Sequence, residues 1–336
     1  MLSDSTRRRR VARTLLACAT IFILSLSTPA LADQKEKKKK KQMPSGTPVL
    51  WREPADIAAR DLFLGPGGEA WKPDLSRVTF IEEEKGGYSK KYRVRDGRGR
   101  VWVAKLGKEA QSETAAVRLV WAVGYVTEIN YLVPRLTIEG KGTFENVRLE
   151  ARPEEIERLD EWSWESNAFT GRRELQGLKV LMALMENWDL KDSNNRILLA
   201  RGPGGNELRY IVSDLGTTFG KTGGRKSPIA FFRSIKGSRN EPDDYVSDEF
   251  IERVEDGTVR LHYSGKNSEM MRHVSVSDAE WIGTLLSRLS DRQLEDAFRA
   301  ANYNADEVRM LARAVRQRIN ELVNLRDGSA SRARHQ

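Results

Sequence analysis

Asp189, Lys191 and Asn194 stand within the stretch NWDLKDSNNRIL, residues 187–198, between an apolar helical run and a run with strand character. Two aspartates, a lysine and two asparagines in seven positions can be read in two ways. They form a solvated turn, with asparagines tolerating left-handed backbone, or they mark a place where a metal, a phosphate and an acceptor hydroxyl meet. Three further positions favour the second reading. Lys105 closes the apolar strand of VWVAKLG, Glu113 follows eight positions later near a helix start, and Asp214 ends YIVSD just before Leu215 and Gly216. Phosphoryl transfer from ATP needs a strand lysine on the phosphates and a carboxylate that holds the lysine. It also needs oxygen ligands for magnesium and an aspartate near the acceptor hydroxyl. Carboxylate and amide oxygens suit magnesium because it is a hard cation. The sequence supplies these parts in order. Singly, each has a plainer reading: Lys105 as a strand-end lysine reaching water, Glu113 as a first-turn acid favoured by the helix dipole, Asp214 as a turn aspartate. Their joint order and spacing carries the chemical reading.

The elements that must position these residues follow from periodicity. RVTFIEEE, KYRVRD and RVWVAKLG read as three antiparallel strands, the last two joined around Asp96-Gly97 and Gly99. SETAAVRLVWAVGY reads as a helix, with Ala115, Leu119, Ala122 and Val123 at helical spacing and Gly124 as its C-cap. YLVPRLTIEG and FENVRLEAR read as another strand pair. RRELQGLKVLMALMENWD is a buried helix on its Leu175, Leu178, Leu181, Met182 and Met185 stripe, a core surface rather than a cofactor face. RILLARGPGGNELRYIVSDLG is a hairpin around GPGG. EPADIAARDLF reads as a short helix, and RPEEIERLDEWSWES fits no clear element. The C-terminal third is helical, with capping boxes at SDAE, SDRQ and NADE. The expected fold class is α+β in two lobes: residues 49–150 as a small antiparallel-sheet lobe with one helix, residues 151–325 as a mainly helical lobe, and residues 326–336 as a disordered tail.

In this order, VAK, DLKDSN and DLG resemble the strand lysine, catalytic loop and magnesium motif of the protein-kinase-like superfamily. The first lobe, with GGYSKKYRVRDGRGRVWVAKLG and then SETAAVRLVWAVGYV, looks more like the atypical branch that includes HipA-type bacterial kinases and phosphoinositide kinases. The resemblance spans roughly residues 76–325 and rests on about twenty specific positions. It implies a two-lobed kinase-like fold and ATP and Mg2+ as cofactors. It also implies that Lys105 binds the α- and β-phosphates with Glu113 paired to it, and that Gly86 and Gly87 lie in the loop over the phosphates. On the same resemblance, Asp189 would orient the acceptor hydroxyl and accept its proton, Lys191 would steady the γ-phosphate, and Asn194 and Asp214 would hold magnesium. The sequence departs from the pattern in three places: KGGYSK replaces the usual glycine-rich loop, Trp188 precedes Asp189 where a histidine is common nearby, and Leu215 replaces phenylalanine. A catalytically inactive binding module on the same fold is the alternative, and nucleotidyl transfer is a third.

Charge excludes another class. Residues 1–32 carry net +4, and the run DQKEKKKKKQ at 33–42 carries another +4, so the formal +9 leaves about +1 for residues 43–336. A nucleic-acid binder needs a basic face on its folded part, so no nucleic-acid partner is expected. Residues 1–32 have the form of an export signal: arginines, an apolar run from Thr14 to Leu26, and Ala30 and Ala32 before a cleavage point after Ala32. Cleavage removes Cys18, the only cysteine. Residues 33–48 read as a lysine-rich disordered linker that could touch an anionic membrane weakly through Lys37–Lys41. The expected partners are a nucleotide and a phosphoryl acceptor that the sequence does not name, and the expected location is the periplasm or the exterior. The histidines His262, His273 and His335 are scattered, which argues against a zinc hydrolase.

Overall fold

The computed structural model describes residues 43–85, 89–220 and 240–325. The expected signal peptide, the lysine run, Gly86, Gly87 and the tail after Leu325 lie outside these residues.

The strand elements are β1 (Thr47–Val49), β2 (Thr79–Glu84), β3 (Lys91–Arg95) and β4 (Val101–Lys105), followed by helix α1 (Glu109–Ala122). Then come β5 (Asn130–Ile138), β6 (Gly142–Ala151) and β7 (Ile156–Arg158). Strands β2 to β6 form one antiparallel sheet in the order β2-β3-β4-β6-β5. Strand alternation sorts its side chains. Trp102 and Ala104 of β4, Val147, Leu149 and Ala151 of β6, and Tyr92 and Val94 of β3 join one hydrophobic cluster, with Trp71 and Phe80 packed against it. Val103 and Lys105, with Arg148 and Glu150, take the other face, where Val103 stands opposite Glu150 and Lys105 opposite Arg148. Leu106, Gly107 and Lys108 alone connect β4 to α1. The helix is buried nearly all round, as expected of an element enclosed on every side.

The second half begins with α2 (Arg173–Leu184), whose Leu175, Leu178, Leu181 and Met182 lie in the larger core. After it, β8 (Asn195–Gly202) and β9 (Gly205–Val212) form the expected hairpin. It is extended to a four-stranded sheet in the order β1-β9-β8-β7. The chain continues through α3 (Pro242–Ser247), β10 (Ile251–Glu255), β11 (Thr258–Leu261) and β12 (Val274–Ser275). Helices α4 (Val276–Ser287), α5 (Asp291–Arg299) and α6 (Ala305–Val323) close it. Both Ser290 with Gln293 and Asn304 with Glu307 form reciprocal capping boxes. At α4 the cap is Ser275, not Ser277, so the SDAE reading starts two residues late.

Three further expectations are corrected. Residues 53–63 form no helix; this segment runs as turns, and short 3-10 turns follow at Gly65–Gly67 and Glu69–Trp71. Thr47 and Pro48, read as linker, belong to β1, which pairs in parallel with β9. The C-terminal third is not purely helical, because β10, β11 and β12 make a small antiparallel sheet. Its hairpin turns at Asp256-Gly257, both with positive φ, a combination favoured in two-residue hairpin loops.

The α+β architecture is that of two lobes: an antiparallel sheet with one helix, then a part built from α2, the β8–β9 hairpin and the C-terminal helices. Residues 50–62 lie across this arrangement, burying Leu50, Ile57 and Leu62 in the larger core.

Candidate active site

Lys105 ends β4 with its ammonium enclosed by carboxylates. Its Nζ lies 2.9 Å from Glu113 Oε2, 3.0 Å from Glu109 Oε2 and 3.3 Å from Asp214 Oδ1. Burial alone would lower the Lys105 pKa, but Glu113, Asp214 and Glu109 together raise it well above its ordinary value. The ammonium is therefore a fixed positive charge at all ordinary pH. The short β4–α1 connection makes this pair possible: α1 starts at Glu109, so Glu113 falls one turn in and reaches back to the strand end. Glu109 is a further acid on Lys105 that the sequence reading missed, although it stands four positions from the lysine. Ser89 donates to Glu109 Oε2 at 2.8 Å.

Asp214 follows β9. Burial disfavours its charged form, yet Lys105, the Gly216 N–H and Arg148 outweigh that and hold its carboxyl below the usual range. Gly216 is required here for close approach: a Cβ on it would come within 2.8 Å of the Glu109 side chain and 3.2 Å of Lys105 Nζ. Leu215 packs into the larger core, as expected of a phenylalanine replacement.

The catalytic-loop candidates are tied to Asp214 through Asn194. Asn194 O accepts from the N–H groups of Ser213 (2.8 Å) and Asp214 (3.3 Å), while its Nδ2 donates to Asp189 O (2.6 Å) and Asp189 Oδ2 (3.3 Å). Lys191 donates to Asp189 Oδ2 at 2.7 Å. The other Asp189 oxygen, Oδ1, is buried with no hydrogen-bond partner among the described residues. Lys105, Glu113, Asn194 and Asp214 all line one cleft of about 410 Å³. The structure thus brings six of the eight sequence-derived site residues into one connected set; Gly86 and Gly87 are not among the described residues.

Two supports of the loop were invisible in the sequence. Asn187 is fully buried, and its Oδ1 accepts from the Thr217 hydroxyl at 2.8 Å and from Asp189 N at 3.3 Å. It links the loop to the segment after Asp214. The second support is the stretch after β11. Lys266 N donates to Trp188 O at 2.6 Å, and Asn267, at φ 56°, donates from Nδ2 to Leu190 O at 2.6 Å. Gly265 fits there because a Cβ would run into the Trp188 backbone. Tyr263 packs beside them and donates to Lys266 O at 3.1 Å. Its burial, then the nearby Asp189 charge, raises its pKa so that the phenol stays protonated.

The cleft also holds residues that the sequence reading passed over. Arg148 bonds Glu113 and lies 2.6 Å from Glu150. Arg152 bonds Glu150, and Arg158 bonds Glu128 and donates to Ser213 Oγ at 2.8 Å. The signal was present in VRLEAR, residues 147–152, where apolar and charged residues alternate with period two.

For magnesium the donor chemistry fits. The Asn194 and Asp214 oxygens are hard ligands on adjoining backbone, and Asn194 spends its NH2 group on Asp189, leaving its amide oxygen for the cleft. Among the described residues no three His, Cys, Asp or Glu side chains form a ready metal cage. Magnesium binds commonly through one or two carboxylates with phosphates and water completing its shell, so such a cage is not required.

No family model matches the chain, and no curated protein matches it. Among solved structures, it is similar to CtkA, a proinflammatory kinase of Helicobacter pylori, at 10% identity, 75% of this chain, 96% of that chain and a TM-score of 0.46. It is also similar to the Rio2 kinase of Chaetomium thermophilum, solved as an ADP/Mg2+–phosphoaspartate complex, at 11% identity, 75% of this chain, 74% of that chain and a TM-score of 0.30. The two-lobed α+β architecture itself, an antiparallel sheet with one helix followed by a mainly helical part, is the one expected from the sequence. Residue roles rest on the geometry above, since likeness at this level assigns none.

Proposed function

We propose that the cleft binds ATP with magnesium and that the protein transfers the γ-phosphoryl group to an acceptor hydroxyl. The observation that supports this most is the single network joining Lys105, Glu113, Asp214, Asn194 and Asp189 across the two lobes. Glu113 and Glu109 hold Lys105 at the height of the phosphates. Magnesium, when bound through Asn194 and Asp214, supplies charge neutralisation for the polyphosphate. Asp189, whose Oδ1 is buried and without a hydrogen-bond partner among the described residues, is the base that this reading assigns to the acceptor hydroxyl. The acceptor oxygen forms a bond to phosphorus, the bond to the β-phosphate bridging oxygen breaks, the hydroxyl proton passes to Asp189, and ADP leaves. Lys191, which donates to Asp189 Oδ2, is the residue that this reading assigns to the γ-phosphate.

A binding module without turnover is the second reading. It is favoured by one observation: Asp189 is absent from the residues lining the cleft and its Oδ1 is buried, so the base needed for turnover does not face the volume that would hold the nucleotide. Incubation with γ-labelled ATP and magnesium separates the two. The enzyme reading expects label on an acceptor or on the protein itself, lost in Asp189→Ala. Nucleotide binding that produces a thermal shift, abolished by Asp214→Ala but without any labelled product, establishes the module instead.

Residues 1–32 act, in this proposal, as an export signal cut after Ala32, with Lys37–Lys41 free to touch anionic lipid. Intact-mass analysis of the protein recovered from the cell envelope tests it; retention of Met1 to Ala32 there would refute cleavage.

A further inference from the structure

Charge in the cleft is divided. At one end the Lys105 ammonium, with Lys91 opposite it on β3, meets three carboxylates, Glu109, Glu113 and Asp214. Four guanidiniums line the same cleft: Arg148, which shares Glu113 with Lys105, and beyond it Arg152, Arg158 and Arg196. They face Glu150, Glu128 and, shared with Lys105, Glu113. Arg196 is the least satisfied. Its nearest acid is Glu161 at 3.7 Å, a half-exposed side chain, and its Nε is buried without a hydrogen-bond partner among the described residues. The Nε of Arg148, a side chain only 3% exposed, is also buried and unpartnered. Arg158 of β7 stands opposite Leu198 of β8, two positions along from Arg196, and both guanidiniums line the cleft. Arg158 has Glu128, whereas Arg196 stands beside the open volume with only a distant acid, a costly arrangement unless an anion joins it.

We infer that this end of the cleft is a second anion subsite, in which Arg158 and Arg196, with the Ser213 hydroxyl, take a phosphate-type oxyanion. The planar forks of arginine match such an oxyanion with paired, charge-assisted hydrogen bonds. Ser213 is already held by Arg158 and donates to Glu128 at 3.2 Å, so its hydroxyl can turn to a bound oxyanion without any backbone change. The subsite deepens the nucleotide reading and rests on it only for the identity of the first anion, at Lys105. Its oxyanion comes either from a second phosphate on the ligand that spans the cleft or from a free oxyanion beside the nucleotide.

Calorimetric titration of the full chain tests this with inorganic phosphate, AMP, adenosine 3′,5′-bisphosphate and Mg-ATP as probes. Phosphate is expected to bind and to lose about tenfold or more in affinity in Arg196→Leu, the scale of hydrogen bonds to a charged group. Arg196→Lys should restore part of the loss. Adenosine 3′,5′-bisphosphate binding more tightly than AMP, with the advantage gone in Arg196→Leu, identifies one ligand spanning both ends. Equal affinities, with phosphate still binding in the presence of saturating Mg-ATP, identify a free oxyanion. An unchanged circular dichroism spectrum and thermal midpoint show that Arg196→Leu is folded. The subsite is refuted if the wild type binds no phosphate, or if Arg196→Leu binds every probe as the wild type does. Phosphate binding without any Mg-ATP binding would leave the subsite standing and overturn the nucleotide reading.

Discussion

Glu113 carries two buried cations at once, Lys105 and Arg148. Replacing it by glutamine strands both, and breaking one partner of a buried pair typically costs about 3–5 kcal/mol. Glu113→Gln should therefore lower the urea midpoint strongly, and Mg-ATP affinity with it. Glu109→Gln should be milder, because Lys105 keeps Glu113 and Asp214. Equal midpoints for the two variants would show that Glu113 has no special position. The acidic side of the pH profile follows from Glu150 and Asp214. Burial resists ionisation of Glu150, but Arg152 and Arg148 outweigh it and hold its pKa below the ordinary 4.5. Asp214 is likewise below its ordinary 3.8. A carboxyl depressed in the folded state adds stability above its unfolded pKa, and that stability fades as pH falls through the folded value. Stability should thus be level above about pH 5 and decline on acidification below the usual carboxylate range, as followed by chemical denaturation at stepped pH. Glu150→Gln should flatten that decline.

The proposed catalytic loop is held as much by elements distant in sequence as by its own residues. Asn267 reaches Leu190 O from the stretch after β11, so Asn267→Ala should loosen the loop while leaving the proposed ATP-binding face of β4 intact. A fall in kcat of roughly tenfold with little change in KM for ATP is expected, since misplacement of reacting groups is costly. A change in KM alone would count against this positioning role. Gly265→Ala, which forces a Cβ against Trp188, should have the larger effect on both kcat and thermal midpoint. These contacts explain what could be read from the sequence. Asp189, Asn194 and Asp214 were legible because the turn-forming residues lie next to strongly apolar runs, and strand and helix assignments on either side place them. The β8–β9 hairpin and the sheet of β2 to β6 were legible for the same reason. Glu109 was overlooked because α1 begins earlier than its apolar stripe does. The β10–β11 hairpin was overlooked although Asp256-Gly257 marks it, since its strands carry charges on exposed positions and lack a clean apolar face. Asn187 and Asn267 leave no local trace at all: their roles are defined by Thr217 and Leu190, which only tertiary folding brings near them.

At the scale of the whole molecule, the segment from Thr47 to Gly68 fastens α1 to everything around it. Trp51 donates to Val123 O at 2.7 Å and meets Trp281 edge to face. Arg60 bonds Trp121 O, and Gln293 Nε2 of α5 donates at 2.9 Å to both Ile57 O and Arg60 O. Tyr131 OH donates to Gly68 O at 2.5 Å. Gln293→Ala should leave these buried carbonyls unpaired and destabilise by about 1–3 kcal/mol, read as a lower denaturation midpoint. Because α1 carries Glu113, the same variant should weaken Mg-ATP binding; full affinity at a lowered midpoint would separate the fastening from the site. The sequence distances have a kinetic meaning. Strand β1 waits for β9, and Ile57 waits for a glutamine 236 positions further along. A growing chain leaving the ribosome cannot complete the larger core until nearly its full length has emerged, and Leu50, Ile57 and Leu62 stay uncovered during that time. The first folded residues to be synthesised are thus among the last to find their places.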